Sequence, residues 1–244
     1  MLNKQSATPL YIQLKNLLQQ QVASGVLGPH SRVPSERELS EQYAISRMTA
    51  RQALAELIAE GRMYTSAGKG TFVAEPKIRQ NVQALTSFTE EMRHRGLEPT
   101  TRVLQRERIP ASGEVASSLR LADGAPAVMI ERLRSADNEP MALETAFLSF
   151  DGAEQLLSIE LEGSLYRVLG ERFGIVPAEA LQEFEADLAQ PRERALLRLH
   201  EGAPVLKLRR TTLDAAGEPF EYVVSVYRGD RYRFGARLVR GATL

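Results

Sequence analysis

Two groups of residues in this chain have the types and spacing to do chemistry on an anion. The first is Arg47, Thr49 and Arg51, crowded into ISRMTARQALAEL (45–57), with Arg37 before them and Lys69 after. A guanidinium is a planar fork of donors that matches a phosphate or the O6/N7 edge of guanine, so this group points to contact with DNA. The second is Arg132 and Arg134, with the acids Glu144 and Glu221 further along. Side chains two apart on a strand share a face, so these two arginines ask for one anionic partner. Carboxylates accept hydrogen bonds from hydroxyls, and Tyr227 adds a ring and a phenol to the same half of the chain. Other chemistries are poorly served. There is no cysteine, and the three histidines are scattered at 30, 94 and 200, which leaves no His-based metal site. No cofactor motif and no convincing nucleophile–base pair is present.

The first group needs a particular frame. Residues 9–24 read as a helix, with Pro9 at its first turn and Tyr11, Leu14, Leu17, Leu18 and Val22 at helical spacing. Ser35 and Glu38 form a capping box for a second helix running to about Tyr43, and Ser46 caps a third that ends near Gly61. MYTSAGKGTFVAE then reads as two short strands about Gly68-Lys69-Gly70. Three helices closed by a hairpin make a winged helix-turn-helix, whose third helix enters the major groove by its N-terminal end. That use explains cations at a helix end where the macrodipole disfavours them. Arg47, Thr49 and Arg51 face base edges, while Ser35, Ser46 and the helix-start amides hold phosphates. Gly68 brings the wing backbone close to the minor groove and Lys69 supplies charge there. A solvated helix beside a hairpin explains a lone Arg-x-x-x-Arg, but not the whole order of signals.

The second group sits in a repeated frame. LRLADGAPAVMIERLRSADNEPMALE (119–144) resembles LRLHEGAPVLKLRRTTLDAAGEPFEY (197–222), each copy reading as a hairpin with turns at Asp137-Asn138 and Ala215-Ala216-Gly217. Helices are expected at 112–119 and 191–199 before the copies and at 163–172 between them. Helix-flanked hairpins in duplicate imply an α+β domain with one antiparallel sheet. Glu221 aligns with Ala142, which shares a strand face with Glu144, so each copy offers one carboxylate to equivalent faces. Thr86–Glu90 and Gly163–Tyr166 read as helix starts, where hydroxyls and free amides attract anions. Beside a ligand site, two plainer readings remain: a solvated outer face for the two arginines, and carboxylates Glu144 and Glu221 that merely pair with Arg132 and Arg134. The polar segment 75–85 divides the chain into a DNA-binding domain (1–76), a linker (77–85) and a larger domain (86–244).

With PLYIQL, VPSERELSEQY, ISRMTARQAL and GKGTFV in place, residues 8–75 resemble the DNA-binding domain of the GntR superfamily of bacterial repressors. Residues 84–244, with ALTSFTEEMRHRG and SVYRGDRYRF, resemble the chorismate-lyase-like (UTRA) effector domain of its HutC subfamily, and are most similar to the repressors of N-acetylglucosamine utilisation. The resemblance implies that Arg37 touches DNA. It implies a phosphate held by Ser87, Phe88, Thr89, Arg132, Ser164 and Tyr166, and a sugar held by Arg134, Glu144, Glu221 and Tyr227. The expectation is a repressor that senses a phosphorylated amino sugar. A lyase-like enzyme is the competing class, and fold alone does not decide between them.

Composition sets the outer limits. The chain has 244 residues, 43% hydrophobic and 25% charged, with 31 basic and 31 acidic residues. A neutral total is compatible with a local basic face, and residues 1–76 hold eight Lys/Arg against six Asp/Glu. No signal core and no stretch of membrane-span length occurs, so a cytoplasmic protein is expected, without cofactor or membrane partner. Its expected partners are double-stranded operator DNA, a small-molecule effector and a second copy of itself, because twofold proteins match twofold sites.

Overall fold

The computed structural model describes residues 2–66, 68–75 and 77–237, so the last seven residues of the expected 86–244 domain lie outside the described residues. The chain divides into two compact units between Lys77 and Ile78.

The first unit is built from α1 (Leu10–Ala23), α2 (Glu36–Tyr43), α3 (Arg47–Ala59) and a hairpin of β1 (Met63–Ser66) and β2 (Gly70–Val73). Leu14 and Leu18 of α1, Leu39 of α2, and Ala50, Ala53, Leu54 and Leu57 of α3 close one core with Met63 and Val73 of the hairpin. The helices start where their caps are. Ser35 accepts from the Glu38 amide while the Glu38 carboxylate accepts from the Ser35 amide, and Ser46 accepts from the Thr49 amide. Each such cap contributes about 1 kcal/mol. The hairpin turn needs left-handed backbone at Gly68 (φ +72) and Gly70 (φ +114), which is why glycine brackets Lys69.

The second unit holds β3 (Ile78–Asn81), α4 (Phe88–His94), β4 (Pro99–Pro110), α5 (Gly113–Ser118), β5 (Pro126–Ala136) and β6 (Glu139–Leu148). A 3-10 turn (Ala153–Leu157), α6 (Leu165–Phe173), β7 (Glu179–Leu188), α7 (Pro191–Leu197), β8 (Pro204–Leu213), β9 (Pro219–Arg228) and β10 (Tyr232–Gly235) follow. Six strands form one antiparallel sheet in the order β4-β5-β6-β9-β8-β7. The repeat is therefore larger than the two hairpins: strand, short helix and hairpin occur twice, as β4-α5-β5-β6 and β7-α7-β8-β9. A pseudo-twofold passes between β6 and β9, where Ala142 faces Tyr227 and Leu148 faces Glu221.

One sheet face carries Val128, Ile130 and Ala146 against Leu156, Leu161, Leu165 and Leu169 of the 3-10 turn, α6 and the loop between them. The same face carries Ala142, Leu208 and Tyr227 against Phe88 and Met92 of α4 and Tyr232. On the other face Leu133, Leu143, Val205 and Val226 pack on Leu197 of α7. The larger side chains among these, each contributing about 1.5–3 kcal/mol by burial, offset the cost of holding polar groups among them.

The segment expected to be a linker, 77–85, contains β3, which pairs in parallel with β10 from Tyr232↔Ile78 to Gly235↔Asn81. Its partner lies some 150 residues further on, so no local pattern announces it. The edge strands β4 and β7 also escape a search for apolar alternation, because charged residues interrupt them and much of each is exposed.

Candidate functional site

In the first unit the expected DNA-contacting residues gather at the starts of α2 and α3 and at the hairpin tip. Arg47 is exposed at the first position of α3, and no side-chain hydrogen bond or ion pair among the described residues engages it. Arg51, one turn on, is held by Glu36 of α2: its Nε meets both carboxylate oxygens at 3.0 and 3.1 Å, and its Nη2 meets Oε2 at 3.0 Å. Arg37 pairs with Glu41 at 3.3 Å along α2, with both side chains exposed. The Ser46 and Thr49 hydroxyls lie 2.8 Å apart. Ser35 and Ser46 spend their oxygens as acceptors in helix caps, and each hydroxyl proton remains able to donate. Gly68 and Lys69 are exposed at the hairpin tip. Met48, the second residue of α3, is 66% exposed.

The second unit brings the other expected group to one spot on the sheet. Arg132 lies directly across from Glu144 in the β5–β6 ladder, and its Nη2 donates to Glu144 Oε1. The same carboxylate lies 3.6 Å from Arg134 Nη1. Arg134 also donates from Nη2 to Thr89 Oγ1 at 2.9 Å and stacks its guanidinium 4.7 Å over the Phe88 ring. On the far side of the central pair, Glu221 Oε2 accepts from Tyr166 at 2.8 Å and from Thr212 at 2.9 Å. Glu131 and Leu133 face the opposite side, where Arg192 of α7 pairs with Glu131.

Ser87, Phe88, Arg132, Arg134, Glu144, Leu165, Tyr166, Arg210 and Glu221 line one small cavity, with free space of about 20 Å³, room for about one water. Seven of the ten expected effector residues are in that lining. Thr89 is joined to it through Arg134, and Ser164 caps α6 beside Leu165 by accepting from the Arg167 amide. Tyr227 is on the same sheet face, opposite Ala142, with its ring packed on Tyr232 and Phe234. The face is not solvated, since Arg132 is 3% exposed and Arg134 is 2% exposed, and Glu144 does pair with both arginines while Glu221 does not.

Burial works against every charge here. Burial alone raises the Glu144 carboxyl, yet Arg132 and Arg134, helped by Arg210, hold it at about 2. Burial, then the neighbouring Arg132, brings Arg134 down to about 10. For Glu221 burial wins over Arg210, and its carboxyl is pushed up. Burial also pushes up the phenol of Tyr166, and that of Tyr227 to about 12. Three arginines therefore face one firmly ionised carboxylate and one whose ionisation burial opposes, which biases the cavity positive. It is also under-satisfied: Arg132 Nε and Nη1, Arg134 Nε, Arg210 Nε and Ser225 Oγ have no hydrogen-bond partner. Buried donors without partners are costly, and those that line this cavity are free to donate to an acceptor.

Two participants escaped the reading of the sequence. Arg210 was visible in principle, because the repeat puts it where Arg132 stands, six residues after the shared Gly-Ala-Pro proline. Glu36 gave no such signal, since its pairing with Arg51 depends on how α2 and α3 pack. Among the described residues no group of acids and histidines is placed to hold a metal ion, and no helix is long and apolar enough to cross a membrane.

Known proteins share both units. The gntR family of bacterial regulatory proteins matches residues 10–73, and the UTRA domain matches residues 94–233. The HTH-type transcriptional repressor NagR of Bacillus subtilis is 42% identical over 96% of both chains. A histidine utilization repressor of Pseudomonas putida is 31% identical, over 94% of this chain and 92% of its own. The crystal structure of PhnF from Mycobacterium smegmatis is similar with a TM-score of 0.66 and 30% identity, over 95% of this chain and 100% of the other. A winged helix-turn-helix carrying such a UTRA domain is a ligand-responsive transcriptional repressor, and the chain belongs to the GntR family, in its HutC-type, NagR-like branch.

Proposed function

We propose that this repressor senses a phosphorylated amino sugar, glucosamine-6-phosphate or N-acetylglucosamine-6-phosphate, and leaves its operator when the sugar phosphate binds. One observation carries the reading. Buried guanidiniums with unsatisfied nitrogens converge on a cavity beside the start of α6 and beside two carboxylates. Guanidiniums and helix-start amides suit a phosphate, and carboxylates suit the hydroxyls of a sugar. The 42% identity to a repressor named NagR favours an amino sugar over other phosphate esters. In this reading Ser87, Phe88, Thr89, Arg132, Ser164 and Tyr166 surround the phosphate, and Arg134, Glu144, Glu221 and Tyr227 surround the sugar. A sugar phosphate is far larger than the present cavity, so binding must move some of the side chains that line it.

The DNA half of the function falls to Arg47, Thr49 and Arg51 at base edges. Ser35, Arg37 and Ser46 meet phosphates, and Gly68 and Lys69 reach the minor groove. No catalytic role is assigned. The working species is a cytoplasmic homodimer on a palindromic site, and a ligand shifts it only by binding its DNA-competent and DNA-incompetent forms unequally. The test is a titration of operator binding, with and without each sugar phosphate, in wild type and Arg132→Ala. Wild-type affinity is expected to fall by about 5–150-fold, the usual range of such coupling, with no ligand effect in the variant. A wild-type affinity indifferent to both sugar phosphates overturns the effector, and an equal response in the variant overturns the site.

A further inference from the structure

We infer that Arg210 is an anion-binding residue of this site, contacting the same dianionic group as Arg132; this rests on the reading that the cavity holds a phosphate ester. The repeat gives the first ground. Arg132 and Arg210 occupy equivalent positions in the two copies, on strands three apart across the central β6–β9 pair, about 14 Å of sheet. Register puts both on one face. Arg132 faces Glu144, Glu144 faces Ser225, Ser225 faces Leu208, and Arg210 is two residues beyond Leu208 on the same strand. Both residues line one cavity.

Pairing gives the second ground. Arg132 and Arg134 share the carboxylate of Glu144, whereas Glu221 is occupied by the hydroxyls of Tyr166 and Thr212. Arg210 forms no ion pair among the described residues. It lies 6.0 Å from the centre of the Tyr166 ring, and its buried Nε has no partner. Glu221 and Glu144 lie near enough to favour its charge, but neither meets it at ion-pair distance, so its buried Nε is left for a bound anion. The neighbouring start of α6, a nine-residue helix whose Leu165 and Tyr166 also line the cavity, points free amides the same way. The four unpartnered guanidinium nitrogens of Arg132, Arg134 and Arg210 match a group with three terminal oxygens better than one with two. Arg210 thus closes on the phosphate from the second repeat as Arg132 does from the first.

The test is calorimetry of the full chain with inorganic phosphate, glucosamine-6-phosphate and N-acetylglucosamine-6-phosphate, in wild type, Arg210→Met and Arg210→Lys, with folding checked by circular dichroism. Arg210→Met is expected to weaken every one of these anions by about tenfold or more, and Arg210→Lys, which keeps the charge but loses the fork, by about threefold or more. If Arg210→Met does not fold, Arg210→Lys is read alone. Sugar phosphates that bind wild type and the readable variant equally overturn the role of Arg210 and leave the amino-sugar reading intact. Inorganic phosphate that binds wild type and is lost in the variant, with neither sugar phosphate bound, supports Arg210 and removes the amino sugar. A wild type that binds none of the three overturns both.

Discussion

Arg51 is held by Glu36 in the free protein, with its fork filled by a carboxylate rather than a base. This answers how α3 tolerates a cation in its early turns: α2 supplies the counter-charge. Arg51 is largely accessible and Glu36 half-buried, so water screens the pair and a guanine edge can compete for the fork. Arg51→Ala should cost about 1–3 kcal/mol of operator binding and relax the preference at one base, whereas Lys69→Ala should weaken all sequences alike and reduce the salt slope by about 1. Fluorescence titrations on operator and scrambled DNA over a salt series separate the two, and identical losses on both DNAs would remove the division of labour. Glu144 gives a second residue-scale expectation. Its folded carboxyl sits at about 2, below the ordinary 4.5, because Arg132 and Arg134 override burial. A lowered carboxylate contributes stability above pH 4.5 that is lost as pH falls toward 2. Wild type should therefore lose on the order of 3 kcal/mol more than Glu144→Gln between those limits, measured by urea unfolding at stepped pH. Parallel pH profiles would contradict the assignment.

At the scale of elements, α4 connects the cavity to the first strand after the DNA-binding unit. Arg134 reaches α4 through Thr89 and Phe88 at its start. Near the other end, Arg95 Nη2 meets both Glu91 Oε1, at 2.8 Å, and the backbone carbonyl of Arg79 in β3. A ligand that takes hold of Arg134 therefore pulls on a helix already clasped to β3. Arg95→Ala should leave sugar-phosphate affinity within about threefold of wild type while reducing the ligand's effect on operator affinity by about tenfold. Calorimetry for the first quantity and anisotropy for the second decide it. Undiminished coupling would show that the clasp is structural only.

For the whole molecule, one winged helix reads too few base pairs for a useful operator, and the cost of specificity is met by symmetry. A homodimer formed through the larger domain is expected, binding a palindrome. Sedimentation at micromolar concentration should report twice the 27.1 kDa chain mass, with and without operator. A monomer under both conditions would refute it.

Local signals in the chain were enough to determine the helices of the first unit, its hairpin, and the duplicated hairpins of the second. Caps, turn glycines and apolar spacing act over a few residues and need no distant partner. Ser35, Ser46, Gly68, Arg132 and Arg134 were legible for that reason, and so was the shared face of the two arginines. The tertiary structure alone decided what depends on partners far away in sequence: β3 against β10, the polar edge strands β4 and β7, Glu36 on Arg51, and the choice between solvent and cavity for Arg132 and Arg134. Strand alternation says which side chains share a face, but burial of that face depends on which helix packs over it. Here α4 and α6 cover it, and that packing turns a pair of strand arginines into a buried pair around Glu144.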